Sequence, residues 1–226
     1  MDNWRAAARR RLDPEERFGL RVTLLFVAAL LVTVPFATLL FQVVAGGPIT
    51  RFDGRVADAL NRAMSPHPRA VDVVQAVSWF GKPVPLAAVV TAAALYIARR
   101  GQRRLVIFLL ATTASGGLLN SAVKALVDRP RPVVDHPIAG AAGSSFPSGH
   151  SMGAMVVVGA LALVFLPAFR RRVRAVVVAV AALVVLAIGT SRLLLGVHFV
   201  SDVVGGFVLG AAWLSAAAAA FAVWRA

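Results

Sequence analysis

No cysteine occurs anywhere in the chain, which excludes a disulfide framework, a thiol nucleophile and a zinc–thiolate site. Charge is scarce as well: 15% of the 226 residues are Asp, Glu, Lys or Arg, whereas 59% are hydrophobic. With a mean hydropathy of +0.78, that composition excludes an ordinary soluble domain. Acidic residues number 10 against 24 Lys and Arg, a net charge of +14. Such a balance raises nucleic acid as a partner, but the basic residues are not gathered on one soluble face. They fall in short clusters between apolar runs, the pattern of membrane topology signals, so no nucleic-acid partner is expected. No small-residue cleavage signature follows the Arg-rich N-terminus, and the first apolar run reads as a retained span. Internal repeats of the kind seen in many transporters are also missing.

What is present is a succession of apolar runs near twenty residues long. The expected fold class is all-α: a polytopic membrane protein, a bundle of six transmembrane helices with one interfacial amphipathic helix. Val22 to Ala45 carries no charge and is long enough to cross with some tilt. Pro83 to Ala98 has only sixteen residues. At about 1.5 Å per residue it falls short of a roughly 30 Å hydrocarbon core. The second span is therefore expected to reach back through Val77 to Gly81, carrying Lys82 near one interface. Leu105 to Val123, Ser151 to Phe169, Ala175 to Thr190 and Val203 to Val223 complete the six. Asp53 to Met64 places Val56, Ala57, Leu60 and Met64 at helical spacing, which predicts the interfacial helix. Gly116 and Gly117, and Gly206 with Gly210, suit close helix packing.

Six spans put both ends on one side. That side holds the N-terminal arginines, the turns at 99–104 and 170–174, and Arg225, together fifteen of the 24 basic residues. The positive-inside rule then makes residues 1–21 a basic cytoplasmic segment and 22–226 a membrane domain of the cell membrane. Both termini are cytoplasmic in this reading. Segments 124–150 and 191–202 share the outer, extracytoplasmic face.

Those two segments contain three unusual stretches. In Ser191-Arg192-Leu193-Leu194-Leu195-Gly196-Val197-His198-Phe199-Val200-Ser201-Asp202, His198 and Asp202 stand four apart, within hydrogen-bond reach on a helix. A carboxylate there fixes the imidazole tautomer, and Arg192 offers a planar fork of donors suited to phosphate. Lys124 follows the third apolar run, and Pro130 and Pro132 hold Arg131 in extended backbone. Ser148-Gly149-His150 opens the fourth run, where Gly149 and the free N–H groups of a helix start make an anion nest with the Ser148 hydroxyl. Each stretch has a plainer reading when taken alone: a helix-end ion pair, a snorkelling lysine, a Ser-capped helix start. Together they supply three cations, a nest and two histidines with different partners, which is what a phosphoryl group with developing charge requires.

The set resembles the type 2 phosphatidic acid phosphatase (PAP2) family of integral membrane lipid phosphatases. The family signature is Lys-x6-Arg-Pro, Pro-Ser-Gly-His and Ser-Arg-x5-His-x3-Asp. Here these are Lys124 to Arg131-Pro132, Pro147-Ser148-Gly149-His150, and Ser191-Arg192 to His198 to Asp202, in order and without departure. The resemblance implies that His198 is the nucleophile, forming a phosphohistidine, and that Asp202 orients it. His150 would protonate the leaving group and then activate water. Lys124, Arg131, Ser148, Gly149 and Arg192 would hold the phosphoryl oxygens. It implies no metal and no other cofactor, and a membrane lipid phosphate or diphosphate as substrate, such as a polyprenyl diphosphate or phosphatidate. His67 and His136 match no motif and read as loop residues. Two other functions stay open on sequence alone: a lipid phosphotransferase using the same site, and a non-catalytic transporter or binding protein for phospholipid headgroups.

Overall fold

The computed structural model describes residues 33–223, with side chains to residue 221. The basic segment 1–21, the first part of the 22–45 run and Arg225 lie outside the described residues. Within them the chain is all helical: α1 (Thr33–Val44), α2 (Pro48–Met64), α3 (Pro68–Trp79), α4 (Pro83–Arg99), α5 (Arg103–Val127), α6 (Gly149–Phe165), α7 (Arg171–Leu194) and α8 (Val200–Val223). A single 3-10 turn, Leu166–Ala168, follows α6.

Helices α5 to α8, with the 3-10 turn continuing α6, are each long and apolar enough to cross a membrane. Two further crossings arise if each bent pair is one span: α1 with α2, bent by 79°, and α3 with α4, bent by 44°. The described residues therefore hold four to six candidate spans. Val176, Val180 and Leu183 on α7 are exposed, as side chains facing lipid would be.

Proline and glycine set the breaks. Pro48, Pro68 and Pro83 each stand at the first turn of a helix, where the missing N–H costs nothing. Gly46 has φ +65°, a left-handed conformation that favours glycine, and the chain turns there from α1 into α2. The second expected span is not one continuous rod. It breaks at residues 80–82, just before Pro83, and the corner is tightly packed: a Cβ on Gly81 would stand 2.8 Å from His150 Cδ2. Glycine there lets the α3–α4 corner close onto the start of α6.

The centre of the bundle is the α6–α8 contact. A Cβ on Gly206 would meet Ser148 O at 2.7 Å, and one on Gly210 would meet Met155 Cβ at 3.0 Å, so these backbones approach as only glycine allows. Gly116 likewise faces Trp213 and Val156, whereas nothing crowds Gly117. A core of Val90, Ala94, Ile97, Phe108, Leu109, Val157 and Ala160 joins α4, α5 and α6. The C-terminal ends of α5 and α7 and the N-terminal ends of α6 and α8 meet at one end of the bundle, where the three motifs sit.

Helix α2 covers the stretch where the amphipathic helix is expected. Against the bundle it buries Asp53, Ala57 and Asn61, while Val56, Leu60 and Met64 are half-buried. Its inward face is polar because it covers the polar end of the bundle.

Candidate active site

The segment from Asp128 to Ser148 is pinned back onto its own beginning. Lys124, in the last turn of α5 and not beyond it, donates from Nζ to Ser144 O at 2.5 Å. Ser144 Oγ returns a bond to Lys124 O at 3.1 Å. Ser145 donates from its backbone N–H to Arg129 O at 2.7 Å and from Oγ to Pro130 O at 2.9 Å. Phe146 is fully buried against Gly205 and Phe36. These bonds deliver residues 148–150 to the start of α6 without regular structure in the loop.

That helix start is capped by Ser148, whose Oγ accepts from Ser151 N–H at 3.4 Å and from Ser151 Oγ at 2.9 Å. A hydroxyl that accepts twice keeps its own proton to donate elsewhere. The Ser148 N–H goes to Asp202 O at 2.9 Å, which locks the nest to α8. A side chain on Gly149 would stand 3.2 Å from Asn120 Oδ1 and 3.9 Å from Lys124 Cε, so Lys124 borders the same nest.

His198 sits in the turn between α7 and α8, which passes through Gly196 at φ +69°. It therefore reaches Asp202 across a helix start and not along a helix. Its Nδ1 is 3.4 Å from Asp202 Oδ2, which also accepts the Phe199 N–H at 2.9 Å. Arg131 Nη1 lies 3.2 Å from His198 Nε2. A guanidinium has no acceptor, so Nε2 must be the accepting nitrogen and the ring proton belongs on Nδ1, facing Asp202. Burial pushes the His198 pKa down to about 4, although Asp202 pulls the other way. At neutral pH the ring is uncharged, with its lone pair on Nε2.

The cations around it are held differently. The Arg131 fork donates to the carbonyls of Ala142, Gly143, Ser144 and Val197, so it organises the loop as well as facing His198. Arg192, in the last turn of α7, donates from Nη1 to Ser78 Oγ at 2.6 Å. Its buried Nε has no partner, and neither does His150 Nε2. Buried polar atoms are normally bonded, so two orphans at one end of the bundle mark the place where a polar ligand fits. A cavity of about 760 Å³ runs from Gly149 and His150 between α4, α5 and α6, past Leu86, Val90, Thr113 and Gly117. Among the described residues no three His, Asp or Glu side chains converge into a metal shell.

All eight residues singled out in the sequence thus stand at one end of the bundle. The PAP2 superfamily model matches residues 104–225, more than half of the chain and every one of those eight. The chain belongs to the PAP2 superfamily. Phosphatidylglycerophosphatase B of Bacillus subtilis is 42% identical over 95 residues, 41% of this chain and 46% of that protein. The chain thus matches about half the length of that curated relative. Among solved structures, the transmembrane PAP2 type phosphatidylglycerolphosphate phosphatase from Bacillus subtilis aligns with a TM-score of 0.74 at 26% identity. That alignment covers 84% of this chain and 94% of the other. Aquifex aeolicus LpxE, at 20% identity and a TM-score of 0.58 over 74% of this chain and 95% of its own, shares the fold.

Three residues bonded to this candidate site escaped the sequence reading. Arg129 Nη1 donates to Asp202 Oδ1 at 2.6 Å and to Ser201 Oγ at 2.7 Å, while Nη2 meets Asp53 Oδ2 at 2.8 Å. Asp53 is wholly buried, and Ser78 nearly so. Arg129 stands one Arg-Pro step before Arg131, a doubling that was the available signal. Asp53 and Ser78 offered none.

Proposed function

We propose that this chain is a membrane lipid phosphatase working through a phosphohistidine. The observation that carries the reading is the placement of His198, with Nδ1 facing Asp202 Oδ2 and Nε2 beside Arg131 Nη1. His198 Nε2 gives its lone pair to phosphorus as the bond to the lipid oxygen breaks, and that oxygen takes a proton from His150. The negative charge of the arriving phosphate favours the protonated imidazole this step needs. Water then attacks phosphorus, loses a proton to His150, and the phosphorus–nitrogen bond breaks, returning the electron pair to His198. Lys124, Arg131, Arg192, Ser148 and the Gly149 backbone hold the phosphoryl oxygens while charge develops. The apolar cavity that begins at His150 accommodates the lipid tail, which favours a lipid over a soluble phosphate.

The similarity to phosphatidylglycerophosphatases makes a phosphatidylglycerol phosphate the first substrate to assay. Phosphate release from it, in detergent micelles, is expected to persist in excess EDTA, because five protein groups do the work of a metal. Loss on chelation, restored by a divalent ion, would overturn this mechanism.

The bent pairs α1–α2 and α3–α4 each count as one crossing in this reading, giving six, with α2 over the site at the interface. The arginines at 99–104 and 170–174 then face the cytoplasm of a cell membrane, as do residues 1–21, and the site faces outward. The absence of cysteine makes this testable with single thiols at Ala141 and Gln102, both exposed. An impermeant reagent applied to intact cells is expected to label the first and spare the second. The opposite pattern would move the substrate to the inner leaflet.

A further inference from the structure

The bonds around Asp202 do not end at His198. Its Oδ1 is held by Arg129, and the Arg129 guanidinium continues to Asp53 on α2, 76 residues earlier in the chain. Asp53 in turn accepts the Ser201 N–H at 3.0 Å on Oδ1 and the Ser201 hydroxyl on Oδ2. It thereby satisfies an open N–H in the first turn of α8, the turn that carries Asp202. The Arg129 guanidinium also lies over the Phe199 ring, 4.2 Å from its centroid. Asp53 and Asp202 are both fully buried, and Arg129 is 8% exposed. Asp53 lies outside residues 104–225, so the family match says nothing of it.

We propose that Asp53 and Arg129 are positioning residues for His198, holding Asp202 in one orientation and setting the charge it presents to the ring. The proposal rests on the phosphohistidine reading. Two carboxylates share one guanidinium here, so the network keeps a net negative charge beside an imidazole that becomes cationic as its nitrogen bonds phosphorus. Without the Asp53 charge, Arg129 belongs to Asp202 alone and cancels it. Without the Arg129 fork, Asp202 loses the partner that fixes Oδ1 and so turns Oδ2 toward His198. A buried ion pair can also be purely structural, and the two roles predict different couplings.

The test measures kcat and KM per folded molecule for the purified full chain with a lipid phosphomonoester. Asp53→Asn, which keeps the size and one acceptor, is expected to lower kcat about tenfold with KM within about twofold. Repeated in an Asp202→Asn background, the same change should cost less than about twofold, because its route to His198 is already cut. Arg129→Lys should follow the same pattern, since a compact ammonium does not reproduce a fork bridging two carboxylates. Equal fold-losses in both backgrounds would overturn the proposal, as would an effect confined to KM. A drop in folded protein with unchanged kcat per folded molecule would also overturn it. If the unmodified chain released no phosphate, the phosphatase reading itself would fall, a result distinct from all of these.

Discussion

His198→Ala is expected to abolish phosphate release and the phosphoenzyme together. The loss should be on the order of 10⁴-fold or more, since the members of a catalytic unit act jointly and the rest cannot replace the nucleophile. Hydrogen-bond geometry supports that size of effect. Nε2 is the ring atom that carries the lone pair, and Arg131 Nη1, which donates to it from 3.2 Å away, is positioned to hold the incoming phosphoryl oxygen as well. Asp202→Asn should give a weaker form of the same defect. Both Asp202 oxygens accept hydrogen bonds, Oδ1 from Arg129 and Oδ2 from the Phe199 N–H. An amide must turn its NH2 against one of those donors, so the side chain rotates or the ring loses its tautomer. The measurement is trapping of labelled phosphoenzyme under neutral quench, because a phosphoramidate is acid-labile. A phosphoenzyme that survives His198→Ala would remove His198 from the nucleophile's role.

The convergence of Lys124, Arg131, Ser148–His150, Arg192, His198 and Asp202 was legible because each lies at a helix end, and apolar run lengths put those ends on one side. Close packing was legible from Gly206 and Gly210 for the same kind of reason: small residues at a four-residue spacing leave a local mark. The rest depended on partners far away in the chain. Asp53 reads as an ordinary charge on an amphipathic helix until Arg129 and Ser201 are brought to it, and nothing in residues 48–64 announces either. The apolar stripe of Val56, Leu60 and Met64 pointed to a helix but not to its inward side, which is polar because the helix lies over a polar site. Ser78 was hidden in the same way, being a small hydroxyl inside an apolar run that the fold brings to Arg192. At the corner of residues 80–82 Pro83 was visible, but the close approach of Gly81 to Ile188 and His150 was not, because it is a tertiary contact.

His150 should behave differently from His198, and the difference depends on the leaving group. Its Nε2 is buried without a partner at the mouth of the apolar cavity, where the ester oxygen of a lipid phosphate would arrive. An alkoxide is a poor leaving group, so removing the proton donor should slow its departure by about 10²- to 10⁴-fold. Nitrophenolate departs without that help. With nitrophenyl phosphate, His150→Ala is expected to form phosphoenzyme at nearly the normal rate, seen as a burst of nitrophenol. A slow steady state should follow, because in the proposed second step His150 is also the base that draws a proton from water. Phosphoenzyme therefore accumulates in this variant, whereas in His198→Ala none forms. Rapid-quench measurement of nitrophenol and phosphoenzyme with both substrates checks each step separately. Equal losses in the burst phase on the lipid and on nitrophenyl phosphate would take the proton-donor role away from His150. Absence of phosphoenzyme in His150→Ala with its presence in His198→Ala would exchange the two roles.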